Sequence, residues 1–340
     1  MPTVSAVIVS FSNPSSTRRA IQSLIGQADP PLEILVLDNH PDGLTAAALA
    51  DWPEAGQVRL LHSGGNIGYA AACNRAAREA RGDWLFFLNP DAHGDPGCLT
   101  AMLAATGTRT GVVGAQVLIP DGRTNAGDNP LHLTGIAWAG RFGEPREHGP
   151  PRPVASVSGA AMLARASAYR ELGGLCERFF MYYDDTDLCW RMRLAGWEVV
   201  FCPEAIVWHE FEFDRGAGKW YLLERNRLWA VLSNYSPAGL ALVAPLLIGT
   251  ELAVAGLALR EGWASSLVRA WASTVRALPE LRRWRRTVQA SRRVGDSEIV
   301  RLMSGRFETS LVQSRIATRL NPLIARYQRA MESFLRLTGS

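Results

Sequence analysis

Four short apolar runs near the N-terminus constrain the fold more than any other feature. They cover residues 4–11, 33–39, 58–62 and 83–88. Runs of this length, bounded by turn formers, are typical of strands that are buried on both faces. Helical patterns separate them, the first opening at Ser12-Asn13-Pro14. The alternation of strand and helix predicts an α/β fold with a parallel, doubly wound sheet.

Polar residues and glycines follow these strands. Ligands of doubly wound sheets bind at the carboxyl ends of the strands, where Asp38 and His62 are expected. The loop at 63–68, Ser-Gly-Gly-Asn-Ile-Gly, connects the third strand to a helix. Its backbone N–H groups could approach an anion, although the spacing matches neither a dinucleotide fingerprint nor a P-loop. We expect contact with a nucleotide or phosphate, with a simple tight turn as the alternative.

Two further segments could supply metal ligands. Asn89-Pro90-Asp91 follows the fourth strand, where Asp91 could present a hard oxygen to Mg²⁺ or Mn²⁺. The same tripeptide is common in ordinary turns, so alone it indicates little. His209 follows the apolar run at 206–208. A single histidine in this position is more often structural than a ligand.

A run of apolar and aromatic residues at 179–183 leads directly into three carboxylates and then into a helix. Asp184 or Asp185 could cap this helix, which is expected to end at Gly196. A cap explains one acid, but it does not explain three, since Asp187 follows as well. Beside an apolar wall, desolvation raises the pKa of a carboxyl group and suits it to general base catalysis. The apolar side chains expected on the buried face are Leu188, Trp190 and Leu194.

Beyond the fifth predicted strand, at 112–119, residues 120–153 break into glycine, proline and polar residues. A loop of this length is usually a lid or a binding loop. Residues 154–163 and 198–202 then predict two more strands.

The cysteine pattern indicates a reducing compartment. The five cysteines include no C-x-x-C pair, which argues against disulfides and a zinc site. Met1-Pro2-Thr3 leads straight into the first strand, so we expect no signal peptide and a cytosolic active part.

The tail has two unusual stretches. Residues 236–259 are almost entirely apolar and long enough to span a membrane, but they contain Pro245 and Glu251. We therefore expect a helical hairpin or an in-plane segment rather than a span. The residues after 259 are rich in arginine and tryptophan, which suits a membrane interface with anionic headgroups. No nucleic-acid motif accompanies this charge.

Taken in order, these motifs resemble family 2 glycosyltransferases, specifically the rhamnosyltransferase-like branch, over residues 4–235. The resemblance implies a GT-A fold: a Rossmann-like, mostly parallel sheet flanked by helices. Residues 1–118 would form the nucleotide-binding half and 119–235 the acceptor-binding half. Residues 236–340 would form a C-terminal α-helical membrane-associating extension. The motifs that carry the resemblance are Asp38, Gly64-Gly65-Asn66-x-Gly68, Asn89-Pro90-Asp91, Ser158-Gly159-Ala160, Phe179 to Arg193, Trp208-His209 and Arg225-Asn226.

The resemblance also implies roles for individual residues. Asp185 would be the general base, although Asp184 could take that role, and Asp187 would be a cap or support. Asp91 would be the principal metal ligand in a D-x-D motif whose first aspartate is Asn89, and His209 would be the second ligand. The cofactor would be Mg²⁺ or Mn²⁺. The residues expected around the nucleotide are Ser10, Asp38, Asn39, Gly64, Gly65, Asn66, Gly68, Asn74, Asn89, Asp91 and Arg225.

The implied activity is inverting transfer of rhamnose or another hexose from a dTDP- or UDP-linked donor. The acceptor would be lipid-linked or a polysaccharide of the cell envelope, and the enzyme would be peripheral on the inner face of the cell membrane. One alternative is a sugar-nucleotide pyrophosphorylase, but residues 12–17 lack the glycines and lysine of its phosphate-binding loop. The other is a catalytically inactive sugar-nucleotide-binding scaffold, which Asn89 keeps open.

Overall fold

The computed structural model describes residues 2–49, 56–210, 218–307 and 315–339. The chain forms two compact units. Unit 1 comprises Met1–Asn129, Ala139–Met192 and Trp197–Phe211. Unit 2 comprises Pro130–Trp138, Arg193–Gly196 and Glu212–Ser340. The helix that carries Arg225 therefore falls in unit 2.

Unit 1 opens with alternating strands and helices, as predicted. They are β1 (Val4–Ser10), α1 (Pro14–Ile25), β2 (Glu33–Asp38), α2 (Leu44–Leu49), β3 (Val58–His62), α3 (Tyr69–Glu79) and β4 (Trp84–Leu88). The four strands are parallel, in the order β3-β2-β1-β4. Every residue of β1, β2 and β4 is buried, which confirms strands covered on both faces. Asn13 caps α1 by accepting a hydrogen bond from the Ser16 N–H.

The rest of unit 1 extends this sheet and adds a separate two-stranded sheet, formed by β8 and β10 of the elements that follow. Its elements are β5 (Ala92–Gly94), α4 (Cys98–Ala104), β6 (Thr110–Leu118), β7 (Thr124–Ala126), β8 (Asp128–Asn129), β9 (Arg152–Pro153), β10 (Ser156–Val157), β11 (Ala161–Arg165), α5 (Ala166–Glu171), α6 (Asp184–Leu194) and β12 (Glu198–His209). β11 lies between β4 and β6 and is antiparallel to both, while β12 is parallel to β6. The α/β fold with a mostly parallel sheet is confirmed. The core packs on this sheet around Ile8, Val36, Phe86, Val113 and Leu163.

Three predicted segments differ in detail. Residues 154–163 are two strands rather than one, because Ser158-Gly159-Ala160 turns between β10 and β11. Residues 120–153, predicted as a loop, contain three short strands. β12 continues to His209 past a register shift between Cys202 and Ile206. Pro203 lies in that shift, and it has no N–H to give to the ladder.

Unit 2 is helical. It contains α7 (Gly218–Asn234), α8 (Pro237–Glu261), α9 (Ala264–Arg276), α10 (Leu278–Ala290), α11 (Ser297–Val300) and α12 (Arg315–Thr338). α9 and α10 pack on α7, and α8 packs on α9 and α12. α8 runs without a break through Pro245, so the expected hairpin within 236–259 is wrong. Among the described residues, α8 alone is long and apolar enough to cross a membrane, with a mean hydropathy of 2.0 over an 18-residue window.

Candidate active site

The ends of β1, β2 and β3 lie side by side, with Ser10 paired in register with Asp38, and Asp38 with His62. Asp38 is fully buried. One carboxylate oxygen accepts hydrogen bonds from two N–H groups at the start of α2, at 2.9 and 3.0 Å. The other accepts from the His40 N–H at 3.1 Å. The hydroxyl of Ser10 is buried and bonded to two threonine hydroxyls. The side chains of Ser10 and Asp38 are therefore buried at this edge of the sheet and bonded to other groups of the protein.

The glycine loop is fastened to the end of β2. The Asn39 side chain donates to Asn66 Oδ1 at 3.2 Å and accepts from a loop N–H at 3.1 Å. Asn66 Oδ1 also accepts from the Gly68 N–H at 3.1 Å. Gly64 and Gly65 have φ values of 80° and 158°, and a Cβ on either would meet nothing within 4 Å. The loop therefore presents open backbone at the sheet edge, as contact with a phosphate requires.

An aromatic pair at the same edge was missed in the sequence. Phe11 directly follows β1 and is 42% exposed. Its ring centroid lies 5.2 Å from that of His40, which follows Asp38 and Asn39. A large aromatic just past a strand end is the signal that could have found it. The exposed ring of Phe11 offers an apolar face on which a base could stack.

The candidate metal ligands meet at the end of β4 and the end of β12. Asp91 Oδ1 lies 3.1 Å from His209 Nε2, and Asn89 Nδ2 lies 3.4 Å from the same nitrogen. His209 Nδ1 lies 3.2 Å from Asn125 Oδ1. Since Asn125 Oδ1 can only accept, it favours a proton on Nδ1 and a lone pair on Nε2. Asn125, in the segment predicted as a loop, was not anticipated.

This donor set fits a divalent cation of the Mg²⁺ or Mn²⁺ type. A carboxylate oxygen and an imidazole lone pair converge on one point, with an amide beside them. Among the residues that the structure describes, no group of three or more histidine, cysteine, aspartate or glutamate side chains could hold a metal. Asp91 and His209 would be two of the ligands of such a site.

Residues 180–187, which we call the acidic segment, begin with an unusual backbone. Phe180, Tyr182 and Tyr183 have φ values of 68°, 67° and 70°, a region that bulky residues rarely adopt. Such strain costs of order 1–3 kcal/mol per residue and persists only where surrounding contacts impose it. Phe180 contacts the end of the glycine loop and the start of α3. The Ala70 N–H donates to the Phe180 carbonyl at 3.2 Å. A Cβ on Gly68 would lie 2.6 Å from the Phe180 ring. The glycine loop and the acidic segment are therefore in contact.

Asp184 and Asp185 have different surroundings. Asp185 Oδ2 accepts from the Gly159 N–H at 2.7 Å, and Oδ1 accepts from the Thr186 N–H at 2.6 Å. Asp184 is 5% exposed, whereas Asp185 is only half-buried. Burial raises the pKa of both groups, and the charge of Asp185 raises the pKa of Asp184 further. The two N–H donors stabilise the ionised form of Asp185, which favours ionisation of Asp185 before Asp184.

Asp187 has a supporting role. It is fully buried and accepts from Arg191 Nε at 2.7 Å, one turn along α6. Arg191 also donates to the carbonyls of Leu172 and Gly174, at 3.1 and 2.8 Å. The ion pair therefore ties the start of α6 to the segment after α5. The predicted burial of Leu188, Trp190 and Leu194 is confirmed, and Gly196 has φ 85° just past the helix end.

The side chains of two predicted nucleotide ligands, Asn74 and Arg225, are bonded to other groups of the protein. The Asn74 side chain donates to the Leu175 carbonyl and Glu177, and accepts from the Tyr169 hydroxyl and the Leu175 N–H. These four bonds use its capacity, so Asn74 fastens α3 to the segment before the acids rather than offering itself to a ligand. Arg225 lies on α7 in unit 2, where its guanidinium is bonded to Asn226 and stacked on Tyr221.

The chain is similar to known proteins in sequence. The family model described as "Glycosyl transferase family 2" matches residues 5–173. An N-acetylglucosaminyl-diphospho-decaprenol L-rhamnosyltransferase of Mycobacterium tuberculosis is 33% identical over 238 residues, covering 62% of this chain and 76% of that protein.

Solved structures agree in fold. The structure of GalNAc-T7 with UDP, GalNAc and Mn²⁺ has a TM-score of 0.60 at 15% identity, covering 71% of this chain and 50% of that one. The mannosyltransferase PcManGT from Pyrobaculum calidifontis, with GDP-Man and Mn²⁺, has a TM-score of 0.52 at 16% identity, covering 97% and 86%. The solved structures show the fold, whereas the family match and the 33% identical rhamnosyltransferase show the family: the chain belongs to glycosyltransferase family 2.

Proposed function

We propose that this protein transfers a sugar, rhamnose or another hexose, from a nucleotide-diphosphate donor to a lipid-linked or polysaccharide acceptor in cell-envelope glycan synthesis. The observation that carries the proposal is the contact between the glycine loop and the acidic segment. It brings the glycine loop, which would face the nucleotide, near the hydrogen-bonded carboxylate of Asp185. The rhamnosyltransferase relative, whose name includes a decaprenol diphosphate, supports a lipid-linked acceptor.

The donor would lie along the ends of β1 to β4. Phe11 and His40 would stack on its base, and the N–H groups of Gly64 and Gly65 would face its phosphates. A dTDP- or UDP-linked sugar suits this site. Asp91 and His209 would hold Mg²⁺ or Mn²⁺, which offsets the charge of the leaving diphosphate when bound. Residues 1–118 would thus form the nucleotide-binding half, and residues 119–235 the acceptor-binding half.

Asp185 would act as the general base. The acceptor hydroxyl oxygen forms a bond to the anomeric carbon, the bond from that carbon to the diphosphate breaks, and the hydroxyl proton passes to Asp185. The nucleoside diphosphate leaves with the electron pair. A single displacement inverts the anomeric carbon, and one base is sufficient. Asp184, which would ionise after Asp185, would keep the neighbouring charge low, and the Gly159 N–H would aim the base.

Calorimetry tests the donor site. Wild type and Asp91→Ala are titrated with UDP- and dTDP-sugars, with and without Mn²⁺. We expect binding that needs Mn²⁺ and is lost in Asp91→Ala. Asp121→Ala, in an exposed turn, is the control and should bind as wild type does. Failure of wild type to bind any nucleotide sugar under either condition would contradict the proposal and favour a scaffold.

Unit 2 would place the enzyme at its acceptor. We propose that residues 236–340 associate with the inner face of the cell membrane, with the catalytic unit in the cytoplasm. The apolar helix α8 and the arginines after it support this placement.

A further inference from the structure

One side of α8 is exposed along most of its length and is apolar. Its exposed positions recur every three or four residues, as on one face of a helix. We call this face the outer stripe; it consists of Ala241, Pro245, Ile248, Leu252, Gly256 and Leu259. Ile248, Leu252 and Leu259 are 62%, 71% and 74% exposed. From 241 to 259 the stripe is about 27 Å long at 1.5 Å per residue. An apolar face of this extent marks an interaction surface.

One flank of α8, about 100° around the helix axis from the outer stripe, is tied to α7 and α9 by a charged network. Glu251 forms an ion pair with Arg227 of α7, and its other oxygen accepts from Trp271 Nε1 of α9 at 2.7 Å. Arg227 is 3% exposed and also pairs with Glu224 at 2.6 Å. If α8 crossed a bilayer, this network would enter the hydrocarbon with it, which is unfavourable for ionised groups. The network therefore keeps α8 lying along its unit.

Arginines follow the apolar positions. Arg260 comes directly after Leu259 and is 77% exposed at its side chain. On α9, Val268 and Val275 are exposed, and each is followed by an exposed arginine, Arg269 or Arg276. Arginine can lay its apolar stem on lipid and its guanidinium among anionic headgroups. A second copy of this chain would bring its own arginines against these exposed arginines, so charge complementarity selects lipid over a dimer.

We propose that the outer stripe lies in the plane of an anionic lipid surface, with its apolar side chains below the headgroups and Arg260 and Arg276 among them. This inference rests on the proposed function for its purpose, which is access to a lipid-linked acceptor. It extends that function by naming the face, its orientation and the lipid charge.

Vesicle flotation of the full-length protein tests the face. Wild type should float with vesicles of phosphatidylcholine and phosphatidylglycerol, and Ile248→Glu/Leu252→Glu should lose at least about tenfold in binding. Both sites are exposed, so unchanged thermal unfolding would show an intact fold. Leu32→Glu, at a 48% exposed leucine of unit 1, is the matched control and should float as wild type does. Arg260→Gln/Arg276→Gln should bind less, whereas Arg78→Gln, at another exposed arginine, should not.

Depth measurements test the orientation. A fluorophore attached at Ala241→Cys, Ile248→Cys or Leu259→Cys should be quenched equally by lipids that carry a quencher at a fixed depth. Much deeper burial of position 248 would show a span and overturn the in-plane proposal. Flotation of Ile248→Glu/Leu252→Glu at the wild-type level would also overturn it. So would a result in which these substitutions break up a dimer and leave vesicle binding unchanged. Transfer to a soluble acceptor analogue should persist in the glutamate variant, which separates this failure from failure of the proposed function.

Discussion

Gly68 is where the glycine loop touches the acidic segment, and Gly68→Ala tests whether that contact positions Asp185, the proposed base. The new Cβ would lie 2.6 Å from the Phe180 ring and 2.8 Å from its carbonyl oxygen. The backbone at Gly68 has φ 87° and ψ 159°, a region that essentially only glycine adopts. Backbone strain of about 1–3 kcal/mol and overpacking of about 1–3 kcal/mol add to roughly 2–6 kcal/mol.

The assay is thermal unfolding together with transfer kinetics. We expect Tm to fall by about 5–20 °C, and kcat/KM by about 10–100-fold, because relief of the clash moves the segment that carries Asp185. Gly122→Ala is the matched control, since Gly122 has φ 85° but a Cβ there meets nothing within 4 Å. It should cost only about 1–2 kcal/mol and leave transfer unchanged. Equal losses in the two variants would refute the role of the Phe180 contact.

Three further outcomes are expected. Asp187→Ala leaves Arg191 buried without its partner and should lower the free energy of unfolding by about 3–5 kcal/mol in urea denaturation; a loss under 1 kcal/mol would contradict this. Asp184→Asn should stabilise the protein at neutral pH. Because the pKa of Asp184 is raised, its stabilising contribution is present below the usual aspartate pKa of about 4 and is lost as pH rises through the raised value. The Tm advantage of Asp184→Asn over wild type should therefore grow with pH, and an advantage that does not grow would argue against a buried charge at position 184. Asn74→Ala should reduce kcat more than it raises the donor Kd, because Asn74 positions the acidic segment; a selective loss of donor binding would restore it as a ligand.

The sequence predicted local features of unit 1 well. The strands β1, β2 and β4 were recognisable because each is a short apolar run buried on both faces. The start of α6 was marked by its acids, and its end by Gly196. Both signals depend on neighbouring residues only, and such patterns survive in the folded chain.

Features that depend on distant residues were not predictable. Nothing in residues 161–165 indicates that β11 inserts antiparallel between β4 and β6. Nor does the sequence show the left-handed backbone of Phe180, since bulky aromatics avoid it unless tertiary contacts impose it. The hairpin expected in the tail is wrong because the helix continues through Pro245. Glu251, which argued against a membrane span, has its partner in Arg227 on another helix.

The most direct measurement of the central claim is the transfer rate of Asp185→Asn beside that of Asp184→Asn, with donor binding measured on both. Asparagine at 185 keeps an acceptor for the Gly159 N–H but cannot take the proton of the acceptor hydroxyl. Our account predicts that kcat falls by at least about 100-fold in Asp185→Asn with donor affinity retained. Asp184→Asn, which resembles the protonated form of Asp184, should keep most of the activity. Full transfer by Asp185→Asn, or a larger loss in Asp184→Asn, would contradict the assignment of Asp185 as the base.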